Sequence, residues 1–136
     1  MSKDKTTQDA IELQKKYVQF ELLGKELEQV ESQKELVAVK AKELELLSHS
    51  IGQLSKGEGF SQLGEGIFVP AKFTDTDTFM VDVGRKIYVK MPRAETQKYL
   101  DRKVKEFNEV LEKIEKRSQE LTCEVQAMAS EMQGLL

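Results

Sequence analysis

The sequence predicts an α+β fold: a long antiparallel two-helix coiled coil with two β-hairpins, about four short strands, inserted between the helices. Three observations predict it. The last third carries an unbroken 4-3 ladder: Leu100, Val104, Phe107, Leu111, Ile114, Ser118, Leu121, Val125, Met128, Met132 and Leu135, with Ser118 its one polar member. A similar ladder with polar breaks runs through the first third. Between them lie short runs in which apolar residues recur at every second position among glycines and turn formers. A 3.5-residue repeat keeps one face of a helix against a partner helix, and a two-residue repeat sends one apolar row to one face of a strand.

Helix 1 is expected over residues 7–56, with Thr7 or Asp9 as the side chain that caps its first turn; residues 1–6 are polar and expected to fray. Its seam reads Leu13, Phe20, Leu23, Leu27, Val30, Val37, Ala41, Leu44 and Ile51, broken by Lys16, Lys34 and Ser48. Polar seam residues weaken a coil but disfavour alternative alignments. Gly24 costs about 1 kcal/mol against alanine inside a helix and marks either a close crossing, a bend or a tolerated defect. Helix 2 is expected over residues 93–134, entered from Pro92. At 1.5 Å per residue the helices span about 75 Å and about 60 Å. The acid-to-base pairs Glu12/Lys16, Glu21/Lys25, Asp101/Lys105, Glu109/Lys113 and Glu112/Lys116 stand four residues apart on their outer faces, each worth about 0.2–0.5 kcal/mol.

Residues 57–92 form the β region. Lys56-Gly57-Glu58-Gly59 closes helix 1, a short strand covers Phe60–Leu63, and Gly64-Glu65-Gly66 turns the chain. Three alternating runs follow: Ile67, Val69, Ala71 and Phe73; Phe79, Val81 and Val83; Ile87, Val89 and Met91. Thr74-Asp75-Thr76-Asp77 and Gly84-Arg85 are the intervening turns. Pro70 lacks an N–H and belongs on an edge strand or at a bulge. Helices joined by strands at one end return antiparallel, which brings Ile51 near Leu100. An insert this small cannot bury both of its faces alone, so Ile67, Val69, Ala71, Phe73, Phe79, Val81, Val83, Ile87 and Val89 are the candidate oligomerisation residues.

Composition bounds the function. The 136 residues amount to one domain, with 33% charged residues, no Trp and a net charge of −3, which is coiled-coil composition. No concentrated basic face indicates a nucleic-acid partner. The single cysteine, Cys123, excludes an intrachain disulfide and reads as a surface thiol. The polar start has no signal-peptide core, and no run reaches the ~18 apolar residues of a membrane span; a soluble, cytoplasmic protein without membrane association is expected. One cysteine and one histidine, His49, far apart in sequence, make no zinc cluster. Gly64-Glu65-Gly66 leads into a strand, so it is no phosphate cradle. No catalytic residues, metal or cofactor are expected, and the chain does not read as an enzyme.

The segment Gly64-Glu65-Gly66-Ile67-Phe68-Val69-Pro70-Ala71-Lys72-Phe73, with Met80-Val81-Asp82-Val83-Gly84, Ile87-Tyr88-Val89-Lys90, Ala94 and Tyr99-Leu100-Asp101-Arg102-Lys103, resembles the prefoldin subunits, specifically the α-type with two hairpins between its helices. Two departures stand out: Lys86 where a small residue or glycine is common, and Pro70 where an unrestricted strand residue is usual. The resemblance implies an ATP-independent holdase. In that family two α-type and four β-type subunits assemble through their hairpins into a hexamer, hold non-native proteins at the coil tips, and pass them to a group II chaperonin. On the residues themselves, the coil end offers Ile11, Leu13 and Tyr17 on helix 1 and Val125, Met128, Met132, Leu135 and Leu136 on helix 2 as candidate client contacts, methionine being an adaptable apolar surface. The alternative is that each simply finishes the seam. The alternatives are a prefoldin-like structural adaptor that holds no client, and a simple homodimeric spacer.

Overall fold

In a computed structural model, which describes residues 2–136 and the side chains from residue 5 onward, the order of elements is α1 (Ser2–Gln53), β1 (Gly57–Gly64), β2 (Ile67–Phe73), β3 (Thr78–Asp82), β4 (Tyr88–Pro92) and α2 (Arg93–Gly134). The helix–hairpin–hairpin–helix order is the one expected. Its boundaries differ in two places. α1 already runs at Ser2, ahead of Thr7 and Asp9, and it stops at Gln53, so Gly57-Glu58-Gly59 opens β1 instead of closing the helix. The strands form two separate two-stranded antiparallel sheets, β1-β2 and β3-β4, the two hairpins expected.

The chain packs as two units. The first joins residues 1–39 to 107–136. Here every seam position is withdrawn from solvent: Leu13, Phe20, Leu23, Leu27, Val30 and Val37 on α1 are half-buried, as are Phe107, Leu111, Ile114, Val125, Met128, Met132 and Leu135 on α2. Leu121 is fully buried. The polar breaks of the seam are half-buried or buried too, and each finds a partner on the opposite helix. Lys16 Nζ lies 3.1 Å from Glu131 and 3.8 Å from Glu12. Lys34 pairs with Glu115. The buried Ser118 hydroxyl donates to Glu31. Beside them Arg117 donates to Glu26 at 2.8 Å and also approaches Glu120 and Glu124. Partners descend α2 as they ascend α1, so the pair is antiparallel. Of the five expected i,i+4 pairs, only Glu12–Lys16 forms among the described residues; exposed pairs in water gain too little to hold long side chains in place.

Gly24 is not a close crossing. A Cβ there would meet nothing within 4 Å, which leaves the tolerated-defect reading.

The second unit, residues 40–106, contains the roots of both helices and the hairpins. Ala41, Ile51, Met91 and Leu100 are buried. Ser48, the third seam break on α1, donates to Asp101 at 2.9 Å, so Asp101 serves the coil instead of pairing with Lys105. Arg93, the first residue of α2, ties the unit together. Its guanidinium donates to the carbonyls of Leu54 (2.7 Å), Thr76 (2.7 Å and 3.2 Å) and Gly52 (3.3 Å), and its N–H donates to Asp77 O. The last α1 carbonyls, which have no partner within the helix, thereby receive a cation, and the same fork holds the link between hairpins. Within that link Asp75 Oδ1 accepts the Asp77 N–H at 2.8 Å. Thr76 and Thr96 are buried, with Thr96 Oγ1 donating to Pro92 O.

Both hairpins turn through left-handed residues. Glu65 (φ 52°) and Gly66 (φ 74°) join β1 to β2, the positive φ at both central positions that a type I′ turn demands. Gly84-Arg85-Lys86-Ile87 does the same with Arg85 at 52° and Lys86 at 62°, closed by Ile87 N–H to Gly84 O at 2.9 Å. The turn includes Lys86, one residue more than Gly84-Arg85. A side chain in this region costs about 1–2 kcal/mol per residue, which accounts for the preference for a small residue where this chain has lysine.

Three outcomes follow from these contacts. Gly24→Ala is expected to raise stability by about 1 kcal/mol in chemical denaturation, and a loss would show that the position needs glycine. Arg93→Lys is expected to cost about 2 kcal/mol, because an ammonium cannot reproduce the fork to three carbonyls; an unchanged denaturation midpoint would overturn its linking role. The third concerns pH. The hydrogen bond from Lys34 holds the Glu115 carboxyl below its ordinary range, and the same bond raises Lys34. Glu115 therefore stabilises the fold above its ordinary value and loses that effect as pH falls through its lowered one; Lys34 stabilises below its ordinary value and loses it as pH rises through its raised one. Lys34→Met should flatten both flanks of a stability–pH profile. Asp75, lowered chiefly by its hydrogen bond from the Asp77 N–H, should leave a residual acid-side loss.

Candidate functional site

The hairpins form the most apolar exposed surface of the second unit. In β1-β2, Gly57, Gly59 and Ser61 stand opposite Phe73, Ala71 and Val69, while Glu58, Phe60 and Gln62 stand opposite Lys72, Pro70 and Phe68. Paired residues share a face, so the first set is one face and the second the other. Phe73 lies across Gly59: a Cβ there would come within 2.6 Å of its ring. Phe73, Ala71 and the two glycines are half-buried, whereas Ile67 and Val69 remain exposed. The register slips between Gln62 and Gly64, leaving Leu63 exposed at a bulge beside the turn.

In β3-β4, Phe79 faces Met91 and Val81 faces Val89. Met91 is buried and Phe79 and Val81 are half-buried, while Val89 is exposed. Val83 and Ile87 lie past the strand ends, joined by Val83 N–H to Ile87 O at 2.9 Å, and both are exposed. Of the nine expected oligomerisation residues, Ala71, Phe73, Phe79 and Val81 are thus half-buried within the subunit. Ile67, Val69, Val83, Ile87 and Val89 are free to meet something else.

The opposite faces add residues that the alternating rows did not single out. Phe60 is 68% exposed and Met80 67%; Leu63, Phe68 and Tyr88 are exposed as well. The signal was present in sequence: apolar residues occupy both phases of the alternation, the pattern of a strand buried on both sides. A lone two-stranded hairpin is marginal in water. Here two of them also expose unpaired edges, which invite added strands.

The coil end divides differently. Ile11, Tyr17 and Leu136 are exposed. Leu13, Val125, Met128, Met132 and Leu135 are half-buried in the seam. Exposed Val18 and Leu22 were not among the expected contacts.

Nothing on this surface resembles a reaction centre. His49 and Cys123 are exposed. Among the described residues no group of three or more His, Cys, Asp or Glu is placed to hold a metal ion, and no described helix is long and apolar enough to cross a membrane. The surface is instead dominated by exposed apolar side chains on both faces of the hairpins.

A comparison with curated proteins finds no match. Among solved structures, the chain is similar to one in the cryo-EM structure of filamentous PFD from Methanocaldococcus jannaschii, with a TM-score of 0.51, 20% identity, and an alignment covering 88% of this chain and 96% of that one. At that identity the likeness speaks to the fold alone. The family described as prefoldin subunit matches residues 12–136, which takes in most of α1, both hairpins and all of α2, and the chain belongs to that family.

Proposed function

We propose that this chain is an α-type subunit of an ATP-independent holdase. It assembles with β-type prefoldin subunits through its hairpins, two α-type with four β-type, and holds non-native proteins at the far coil end for transfer to a group II chaperonin. Membership of the prefoldin family makes it a chaperone-like subunit; the holdase role, the stoichiometry and the chaperonin partner are the reading offered here. One observation carries it. Two separate hairpins present apolar side chains on both faces and have unpaired edges, a surface suited to added strands. The presence of two hairpins favours the α-type. The coil end of the first unit then remains for clients, where Ile11, Tyr17 and Leu136 face solvent and Met128 and Met132 are half-buried.

The test uses the complex formed with co-expressed partner subunits and a denatured client, without nucleotide. Val83→Asp alters a residue exposed in the subunit, so it should leave the subunit folded but prevent assembly by burying an unpaired charge, seen as loss of the large species in size-exclusion chromatography. Truncation after Glu124 should leave assembly intact and abolish suppression of aggregation. An assembled wild-type complex with no effect on aggregation at stoichiometric ratio would make the chain a structural adaptor. A truncated chain that still protects the client would move client holding away from the tip.

A further inference from the structure

Two hairpins have four strand edges, and these edges are not equivalent. In an antiparallel ladder, residue pairs whose backbone groups bond across the ladder alternate with pairs whose backbone groups point outward. Two bonds fix the phase in β3-β4: Arg93 N–H donates to Asp77 O, and Val83 N–H donates to Ile87 O. The outward pairs are therefore Thr78–Pro92, Met80–Lys90 and Asp82–Tyr88. β1-β2 has the same phase, since Gln62 and Phe68 flank the turn Gly64–Ile67 as Asp82 and Tyr88 flank Gly84–Ile87. Its outward residues are Glu58, Phe60 and Gln62 on β1 and Phe68, Pro70 and Lys72 on β2. Pro70 thus stands where the ladder needs no N–H.

Two of the four edges are closed. On β3, α2 holds both ends: Arg93 donates to Thr76 O at 2.7 Å just before the strand, and the Tyr99 hydroxyl donates to Asp82 O at 3.3 Å at its last residue. On β2, Pro70 removes the central outward donor, a usual guard of an edge strand. The other proline, Pro92, is the last residue of β4, so Tyr88 and Lys90 keep their outward N–H groups. β1 has no proline.

We infer that the open edges, β1 and β4, pair with each other between two copies of this chain, antiparallel, with Glu58 opposite Lys90 and Phe60 opposite Tyr88. This pairing rests on the proposed assembly through the hairpins and gives it edges and a register. The outward N–H and C=O groups of these four residues then bond one another. An acid faces a base and an aromatic ring faces another, both favourable cross-strand pairs, and all four side chains are exposed. On the other face Gly59 falls opposite Val89 and Ser61 opposite Ile87, so small residues of β1 meet exposed β-branched ones of β4. Other alignments are poorer. A shift of two residues in one direction sets Lys90 against Lys56, and in the other it sets Pro92, which has no N–H, against Glu58. β4 against itself sets Lys90 against Lys90 or Tyr88, and β1 against itself about Phe60 sets Glu58 against Gln62. Neither brings opposite charges together.

Cysteine cross-linking tests the register in the full chain co-assembled with its partner subunits, with Cys123→Ser as background. Ser61→Cys and Ile87→Cys occupy a non-hydrogen-bonded pair of the new ladder, where side chains approach closely enough for a disulfide. Each variant alone is expected to give no linked dimer, and the two mixed under oxidation are expected to give one. Val69→Cys, on β2, mixed with Ile87→Cys is expected to give none. Lys90→Glu on the Ile87→Cys chain should lower the yield of the Ser61–Ile87 product several-fold, and Glu58→Lys on the Ser61→Cys chain should then restore it. Ser61→Cys linking to itself would mean β1 against β1, a link through Val69→Cys would mean an open β2 edge, and links only to a partner subunit would mean a different occupant; each overturns the inference. Size-exclusion chromatography of the same samples separates two failures. A large species without the Ser61–Ile87 link overturns this pairing and leaves hairpin assembly standing, whereas no large species overturns both.

Discussion

The rest of the structure depends on how the polar positions of the coil seam are satisfied. A lysine, a serine or a glutamate at a helix–helix contact is costly unless its partner is in place. In the first unit Lys16 meets Glu131, Lys34 meets Glu115 and Ser118 meets Glu31; in the second Ser48 meets Asp101. Slide one helix past the other by a heptad and the apolar seam largely survives, but Lys34, Ser118 and Ser48 lose their partners. The leucines make the pair adhesive, and the polar residues make it adhere in one alignment and one direction. The depressed Glu115 and raised Lys34 record the same coupling electrostatically.

Arg93 sits where α2 starts, and its fork reaches the end of α1 and the link between the hairpins together. One planar cation thereby satisfies carbonyls from two elements that sequence separates widely, a task suited to the guanidinium geometry. The hairpins leave much of their apolar surface uncovered. Their apolar side chains lie on both faces, and Arg85 and Lys86 carry the β3-β4 turn in the left-handed region. Such an element is stable only as part of something larger, which agrees with a subunit made for assembly.

The family assignment and the two-helix, two-hairpin fold were legible in the residues. The period-3.5 ladders, the period-2 runs and the glycine-bearing turns name their elements because local geometry has few solutions: a 4-3 apolar repeat suits a paired helix and alternation suits a strand. Even the interruptions at Lys16, Lys34 and Ser48 could be read as register devices, since polar residues at seam positions have little other use. The doubled apolar phase of the hairpins was also there to be read, and it widens the candidate interface to Phe60, Phe68, Met80 and Tyr88.

Tertiary structure alone decided the pairings. Which acid answers Lys34, or that Asp101 turns to Ser48 and not to Lys105, depends on distances between residues far apart in the chain, and no local pattern encodes them. The role of Arg93 was invisible for the same reason: an arginine after a proline at a helix start looks like any first-turn residue until the carbonyls of Leu54 and Thr76 are brought to it. Sequence determined the elements and their faces because those follow from the chain's own periodicity. The structure determined the partners, because hydrogen bonds and ion pairs are decided by proximity, which only the folded chain supplies.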